Sequence, residues 1–125
     1  MKTVVTTKMA PGAIGPYSQA IKAGGFLFLS GQIPVNPSSN AVVEGGIEAQ
    51  TIQALENLKA ILADQGLTMD NVVKTTVYLI DLNDFQVMNG IYGNYFKEET
   101  PARATIQVAR LPKEVMIEID AIAVI

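Results

Sequence analysis

Arg103 is the side chain in this sequence whose type and setting most directly suggest chemistry. It lies in Thr100-Pro101-Ala102-Arg103-Ala104-Thr105 and is one of four lysines and arginines after Ile80, the others being Lys97, Arg110 and Lys113. Pro101 fixes its own φ and drives Thr100 into an extended conformation. The chain therefore enters Ala102–Val108 already extended, and stiff backbone carries the guanidinium. Held that way, it can take a carboxylate through two parallel hydrogen bonds. The competing role is an ordinary salt bridge to a neighbouring acid. Other candidates are spread along the chain. Tyr17 is presented by Pro16 from a loop, Ala10–Ser18, in which proline and glycine alternate. Such a loop is expected to be packed, and Tyr17 reads equally as a phenol at the core edge. Ser30 offers a hydroxyl at a strand end, and Gly31 beside it permits close backbone approach. Asn89 stands next to the apolar stripe of a helix, where a solvated role competes.

Composition narrows the chemistry. The 125 residues contain no cysteine and no histidine. Disulfides, thiolate nucleophiles, Ser-His-Asp arrangements and the commonest metal ligand are all excluded. Any reaction must use Arg, Lys, Asp, Glu, Tyr, Ser, Thr, Asn, backbone groups and water. A net charge of −3 without a basic run makes nucleic acid a poor default partner. Residues 49% apolar and 17% charged suit one folded domain spanning 1–125. No apolar run approaches the roughly 20 residues that span a bilayer, so no membrane role is expected. The N-terminal stretch has no apolar core of a signal peptide, and a cytoplasmic location is expected.

Elements that could position these groups are legible in the periodicity. Val4-Val5-Thr6 reads as a short strand. Gln19–Ala23 and Phe26–Ser30 flank Gly24-Gly25, a two-residue hairpin signal. Pro34–Gly46 reads as a polar surface excursion. Over Ile47–Gln65, Leu55, Leu58 and Leu62 form a helical stripe that ends at Gly66. Val72–Ile80 reads as a strand with Val73, Thr75, Val77 and Leu79 on one face. Phe85, Met88, Tyr92, Tyr95 and Phe96 mark a second helix behind the caps of Asp81–Asp84. Ala102–Val108 and Val115–Val124 follow, joined by a connection short enough to be hairpin-like. In the first of these strands Arg103, Thr105 and Gln107 share a face. In the second, Val115, Ile117, Ile119, Ala121 and Ala123 oppose Met116, Glu118, Asp120, Ile122 and Val124. Pairing polar face to polar face would bring Arg103 and Asp120 within reach, although register is not set by sequence alone.

Two strand–helix–strand units with right-handed crossovers predict an α+β fold, a mixed sheet with both helices on one face. The other face stays uncovered while carrying apolar residues, so self-association through it is expected.

Several separated motifs together resemble the Rid (YjgF) family of 2-iminobutanoate/2-iminopropanoate deaminases. They are Ala13-Ile14-Gly15-Pro16-Tyr17-Ser18, Ser30-Gly31-Gln32-Ile33-Pro34, Val73-Lys74-Thr75-Thr76-Val77, Pro101-Ala102-Arg103, Val108-Ala109-Arg110-Leu111-Pro112-Lys113 and Ile117-Glu118-Ile119-Asp120-Ala121-Ile122-Ala123. The resemblance spans essentially the whole chain. It implies a chorismate-mutase-like fold and a homotrimer with clefts between subunits. It also implies hydrolysis of a 2-imino acid or its enamine to a 2-keto acid and ammonium, without a cofactor or metal. Arg103 would clamp the substrate carboxylate with help from the Thr105 N–H, and the Arg103 carbonyl would lie near the imine nitrogen. Tyr17, Ser30, Gly31 and Asn89 would line the cleft. Imine hydrolysis fits a chain without thiol or imidazole, because the iminium carbon is already electrophilic.

Two departures from the family pattern stand out. Asp120 is matched to a family glutamate that holds the attacking water, and aspartate is one methylene shorter. Thr105 stands where the family often has cysteine; a backbone contact there makes the exchange inconsequential. The rival reading keeps the fold and the Arg103 clamp but has no turnover: a carboxylate-binding or regulatory module. Ribonuclease or translation-inhibitor roles described for some relatives fit the acidic, histidine-free composition poorly.

Overall fold

A computed structural model describes residues 1–125. Its strands are β1 (Thr3–Val5), β2 (Ala20–Ala23), β3 (Phe26–Gln32), β4 (Val35–Asn36), β5 (Ala41–Val42), β6 (Val72–Leu79), β7 (Ala102–Gln107) and β8 (Ile117–Val124). Two helices, α1 (Gly46–Asp64) and α2 (Phe85–Tyr95), pack on one face of a six-stranded sheet ordered β1-β2-β3-β8-β6-β7. Only β6 and β7 pair in parallel; every other neighbour is antiparallel. The mixed sheet with helices on one side is the expected architecture.

Local chemistry explains the elements. Gly24 and Gly25 adopt φ of 60° and 83°, the double positive φ that a tight hairpin turn between β2 and β3 requires. Helix α1 stops at Gly66 (φ 72°), where Gly66 N–H donates to Ala63 O and Leu67 N–H to Leu62 O. These two bonds satisfy carbonyls that the helix end would leave free. The stripe Leu55, Leu58, Ile61 and Leu62 then packs with Leu27, Leu29, Val77, Leu79, Ile117 and Ile119 of the sheet. Each such burial is worth about 1.5–3 kcal/mol. The segment read as a polar excursion contains the small β4–β5 ribbon.

Four expectations need correction. Strands β7 and β8 form no hairpin, because β6 lies between them. The α2 crossover returns β7 parallel to β6 at the edge, while β8, with Ile117, Ile119, Ala121 and Ala123 buried, takes a central slot. Arg103 therefore pairs with Thr75 and Asp120 with Thr76, on opposite faces of the sheet, so the two do not meet. In β6 the register shifts between Val72 and Lys74, so Val72 is buried and Val73 is 42% exposed. The Ile14–Tyr17 loop is not packed: Ile14 and Tyr17 are 70% and 54% exposed.

The uncovered face carries Phe26, Phe28, Ile106 and Val124, all exposed by about two-fifths. No helix is long and apolar enough to cross a membrane.

Candidate active site

The sheet carries two groups of candidate site side chains. The first lies at the β7 edge beside α2. Arg103 points to the helix face, with its Cζ 4.7 Å from the Tyr92 ring centroid and 5.5 Å from that of Phe85. Tyr92 is itself fixed: its hydroxyl bonds the buried Thr75 hydroxyl at 2.7 Å, and its ring packs on Phe96 at 4.5 Å. Burial pushes the Tyr92 phenol up, so it stays neutral beneath the cation. Stacking on aromatic faces attracts and orients a guanidinium without neutralising it. No carboxylate does so either, since the one ion pair of the chain joins Arg110 to Glu114. Asn89, Tyr92, Gly93, Phe96, Thr100, Pro101 and Arg103 line a cleft here, which places Asn89 on the same wall as Arg103.

Backbone direction adds to this group. Val108 N–H donates to Leu79 O of β6 at 2.8 Å. Polar groups alternate sides along a strand, so two residues at odd positions, Arg103 and Thr105, aim theirs at the open edge. A guanidinium, an N–H donor at Thr105 and a carbonyl acceptor at Arg103 thus face one region outside β7. The Thr105 hydroxyl is buried without a partner, which leaves the backbone as this residue's outward polar group.

The second group lies on the opposite face, around the start of β8. Ile14, Tyr17, Ser30, Gly31, Ile33, Pro112, Lys113 and Glu118 line one pocket. The register between β3 and β8 shifts between Leu29 and Gln32, a bulge at Ser30 and Gly31 that brings Gly31 against the Glu118 carboxyl. A Cβ at Gly31 would lie 2.1 Å from Glu118 Oε2, so the absence of a side chain there makes room for the carboxyl. Ser30 Oγ donates to Ser18 O at 2.5 Å, tying the bulge to the Tyr17 loop. Tyr17 Oη accepts from Ile14 N–H at 3.4 Å. Lys113 and Glu114 both hold φ of 56°, a left-handed turn that delivers Lys113 to the pocket rim.

Glu118 is half-buried, and its carboxyl is raised above the usual carboxylate range, by desolvation first and then by the charge of Asp120. A carboxyl whose pKa is raised in a pocket is a candidate for taking up and returning protons.

Asp120, expected to hold the attacking water, is itself hydrogen-bonded by Tyr78. Its backbone lies opposite the bulge, but its carboxylate is turned to β6, where it accepts a hydrogen bond from Tyr78 Oη at 2.9 Å. Glu118, two residues earlier on the same face, is the acid that meets Gly31. Alternation put both acids on one face, and what separates them is that Gly31 lies against Glu118 while Tyr78 holds Asp120. Arg103, Asn89 and Thr105 are thus brought together, as are Tyr17, Ser30 and Gly31. The two groups remain apart within one chain because they occupy opposite faces.

Comparison with known proteins identifies the lineage. A family model described as Endoribonuclease L-PSP matches residues 7–125. The chain is 57% identical over 123 residues to a RutC family protein, PH0854, of Pyrococcus horikoshii, covering 98% of both. It is 51% identical over 124 residues to the human 2-iminobutanoate/2-iminopropanoate deaminase, covering 99% of this chain and 90% of the human protein. The crystal structure of YyfA from Yersinia pestis, described as a protein of unknown function of the conserved Rid family, superposes with a TM-score of 0.97. The two are 48% identical, and the match covers all of both chains. With family-wide similarity in sequence and fold from end to end, the chain belongs to the endoribonuclease L-PSP family, also called Rid or YjgF.

Proposed function

We propose that this protein hydrolyses 2-imino acids such as 2-iminobutanoate and 2-iminopropanoate, and their enamine tautomers, to 2-keto acids and ammonium. The observation that carries this reading is the Arg103 guanidinium, stacked on Tyr92, free of any acid and accompanied by the outward Thr105 N–H. That combination suits a small carboxylate. The name of the human relative supplies the reaction class.

In this reading Arg103 and the Thr105 N–H bind the carboxylate, and the Arg103 carbonyl accepts from the N–H of the protonated imine. Water held by Glu118 adds to the iminium carbon and gives one proton to the Glu118 carboxylate. Glu118 returns that proton to the carbinolamine nitrogen, which leaves as ammonia while Glu118 takes the hydroxyl proton and passes it on, giving the keto acid and ammonium. For an enamine, the protonated Glu118 first supplies the proton to carbon. We reassign the water-holding role from Asp120 to Glu118 because of the close Gly31 approach. Asp120 then acts on Glu118 by its charge and is itself fixed by Tyr78.

Groups on opposite faces of one sheet can complete a site only with a second copy of the chain. We therefore propose a homotrimer in which the Arg103 edge of one subunit meets the Tyr17–Ser30–Glu118 pocket of the next. The exposed Phe26, Phe28 and Ile106 on the uncovered face supply apolar contact surface.

A coupled assay with a serine or threonine dehydratase tests the activity: addition of this protein should accelerate keto-acid release. Binding of 2-oxobutanoate without acceleration would select the non-catalytic carboxylate module instead. Analytical ultracentrifugation tests assembly, and a species of 13.4 kDa at micromolar concentration would overturn the shared site.

A further inference from the structure

The Glu118 pocket is built from three wall segments: Ile14–Tyr17, Gly31–Ile33 and Lys113–Glu118. None belongs to the regular core of a helix or strand along its whole length, yet two are tied to the body directly by a buried amide side chain, and the third is tied by one at the segment that leads into it. Gln19, 3% exposed, accepts from Thr7 N–H at 2.6 Å and donates to Thr7 O at 3.1 Å, Ala10 O at 3.3 Å and Pro11 O at 2.7 Å. It thereby fixes the incoming limb of the Tyr17 loop, while the backbone carbonyl of Gln19 accepts from Ser30 N–H at 2.9 Å. Asn57 of α1, 1% exposed, donates to Ile33 O at 3.1 Å and Val35 O at 3.0 Å. Its own oxygen accepts from Gln53 at 2.8 Å, which sets the orientation of the amide. Gln50, also on α1 and 9% exposed, accepts from Met116 N–H at 2.8 Å, two residues before Glu118.

We infer that Gln19, Asn57 and Gln50 are positioning residues for the Glu118 half of the site, one for each wall. This rests on the catalytic reading above. The physical reason is that loops carry backbone donors and acceptors which must be satisfied when buried. An amide can donate and accept at once, so it fixes a loop's position as well as satisfying it. An apolar residue of the same size would fill the space without fixing the wall. A displacement of about 1 Å at the reacting groups can cost about 100-fold in rate.

The test uses Gln19→Leu, Asn57→Leu and Gln50→Leu, with Asn71→Ala as a control. Asn71 also ties backbone by its amide, donating to Val124 O at 3.1 Å, but far from the pocket walls. Imine turnover, 2-oxobutanoate affinity, thermal midpoint and amide hydrogen exchange are measured for each. The expected result is a fall in kcat of about 10- to 100-fold for the three pocket variants, with 2-oxobutanoate affinity unchanged. Exchange should quicken only in the wall that each amide holds, and Asn71→Ala should lose midpoint without losing kcat. If kcat simply follows thermal midpoint across all four variants, the amides are structural and the inference fails. Should Gln19→Leu not fold, Gln19→Glu keeps the shape and the acceptor for Thr7 N–H. Gln50→Leu, which removes a single bond, is the mildest of the set. If the unaltered protein turns over no imine, the catalytic reading falls by itself. The exchange patterns then decide the positioning: acceleration confined to the tethered wall supports it, and unchanged walls refute it.

Discussion

The two halves of the proposed site are built by opposite strategies. The Arg103 half sits on regular elements: an edge strand, a helix, and a buried tyrosine locked by a threonine hydroxyl. Its specificity comes from one charge on an aromatic platform and from backbone groups that an edge strand leaves unpaired. The Glu118 half sits on a bulge, an exposed loop and a left-handed turn. Its precision comes from side-chain amides and from one glycine. A rigid half is suited to gripping the constant part of a ligand. A half assembled from loops is suited to placing a water and a proton, where fractions of an ångström count.

That contrast predicts different failures. The largest effect is expected from Glu118→Gln, which keeps the shape and removes the proton carrier: kcat should fall about 10²- to 10⁴-fold, with 2-oxobutanoate affinity little changed. Retention of the rate here, with its loss in Asp120→Asn, would return the water to Asp120. Arg103→Ala should instead abolish 2-oxobutanoate binding in calorimetry, a loss of roughly 2–4 kcal/mol. Arg103→Lys should also fail, because a point charge does not reproduce the planar fork. Both arginine variants should keep the fold and assembly, and near-normal turnover in either would make Arg103 structural. Gly31→Ala should be intermediate. Its Cβ would displace the Glu118 carboxyl, lowering kcat about 10- to 100-fold while sparing 2-oxobutanoate affinity. The smallest effect is expected from Asp120→Asn, whose amide oxygen still accepts from Tyr78. Asp120 helps hold the Glu118 pKa up, so removing its charge lets that pKa fall. Glu118 must be ionised to take the proton from water, so the acid limb of the kcat profile should move to lower pH. A shift to higher pH would show that Asp120 does not act on Glu118 by charge.

The rigid half was the more legible in the sequence. Pro101, the position of Arg103 on a strand and the stripe of α2 all follow from local rules, and so do the Gly24-Gly25 hairpin and the Gly66 stop. The other half depends on long-range pairing. Glu118 and Asp120 are equivalent under alternation, and the choice between them lies in what each meets on a neighbouring strand, Gly31 for Glu118 and Tyr78 for Asp120. Insertion of β8 between β3 and β6 was likewise hidden, because the short β7–β8 connection suggested a hairpin. The buried amides of α1 carried no signal either. Gln50 and Asn57 look like ordinary polar positions of a helix until the loops they hold are in place.

The contact between Gly31 and Glu118 has a use beyond this chain. The two positions are sterically coupled: a side chain at the first pushes the carboxylate at the second out of its place. Relatives that keep the arginine but carry a bulkier residue at the glycine position should therefore bind keto and amino acids without turning over imines. Inspecting that pair of positions would sort sensors from catalysts within a family whose members carry names as different as endoribonuclease and deaminase.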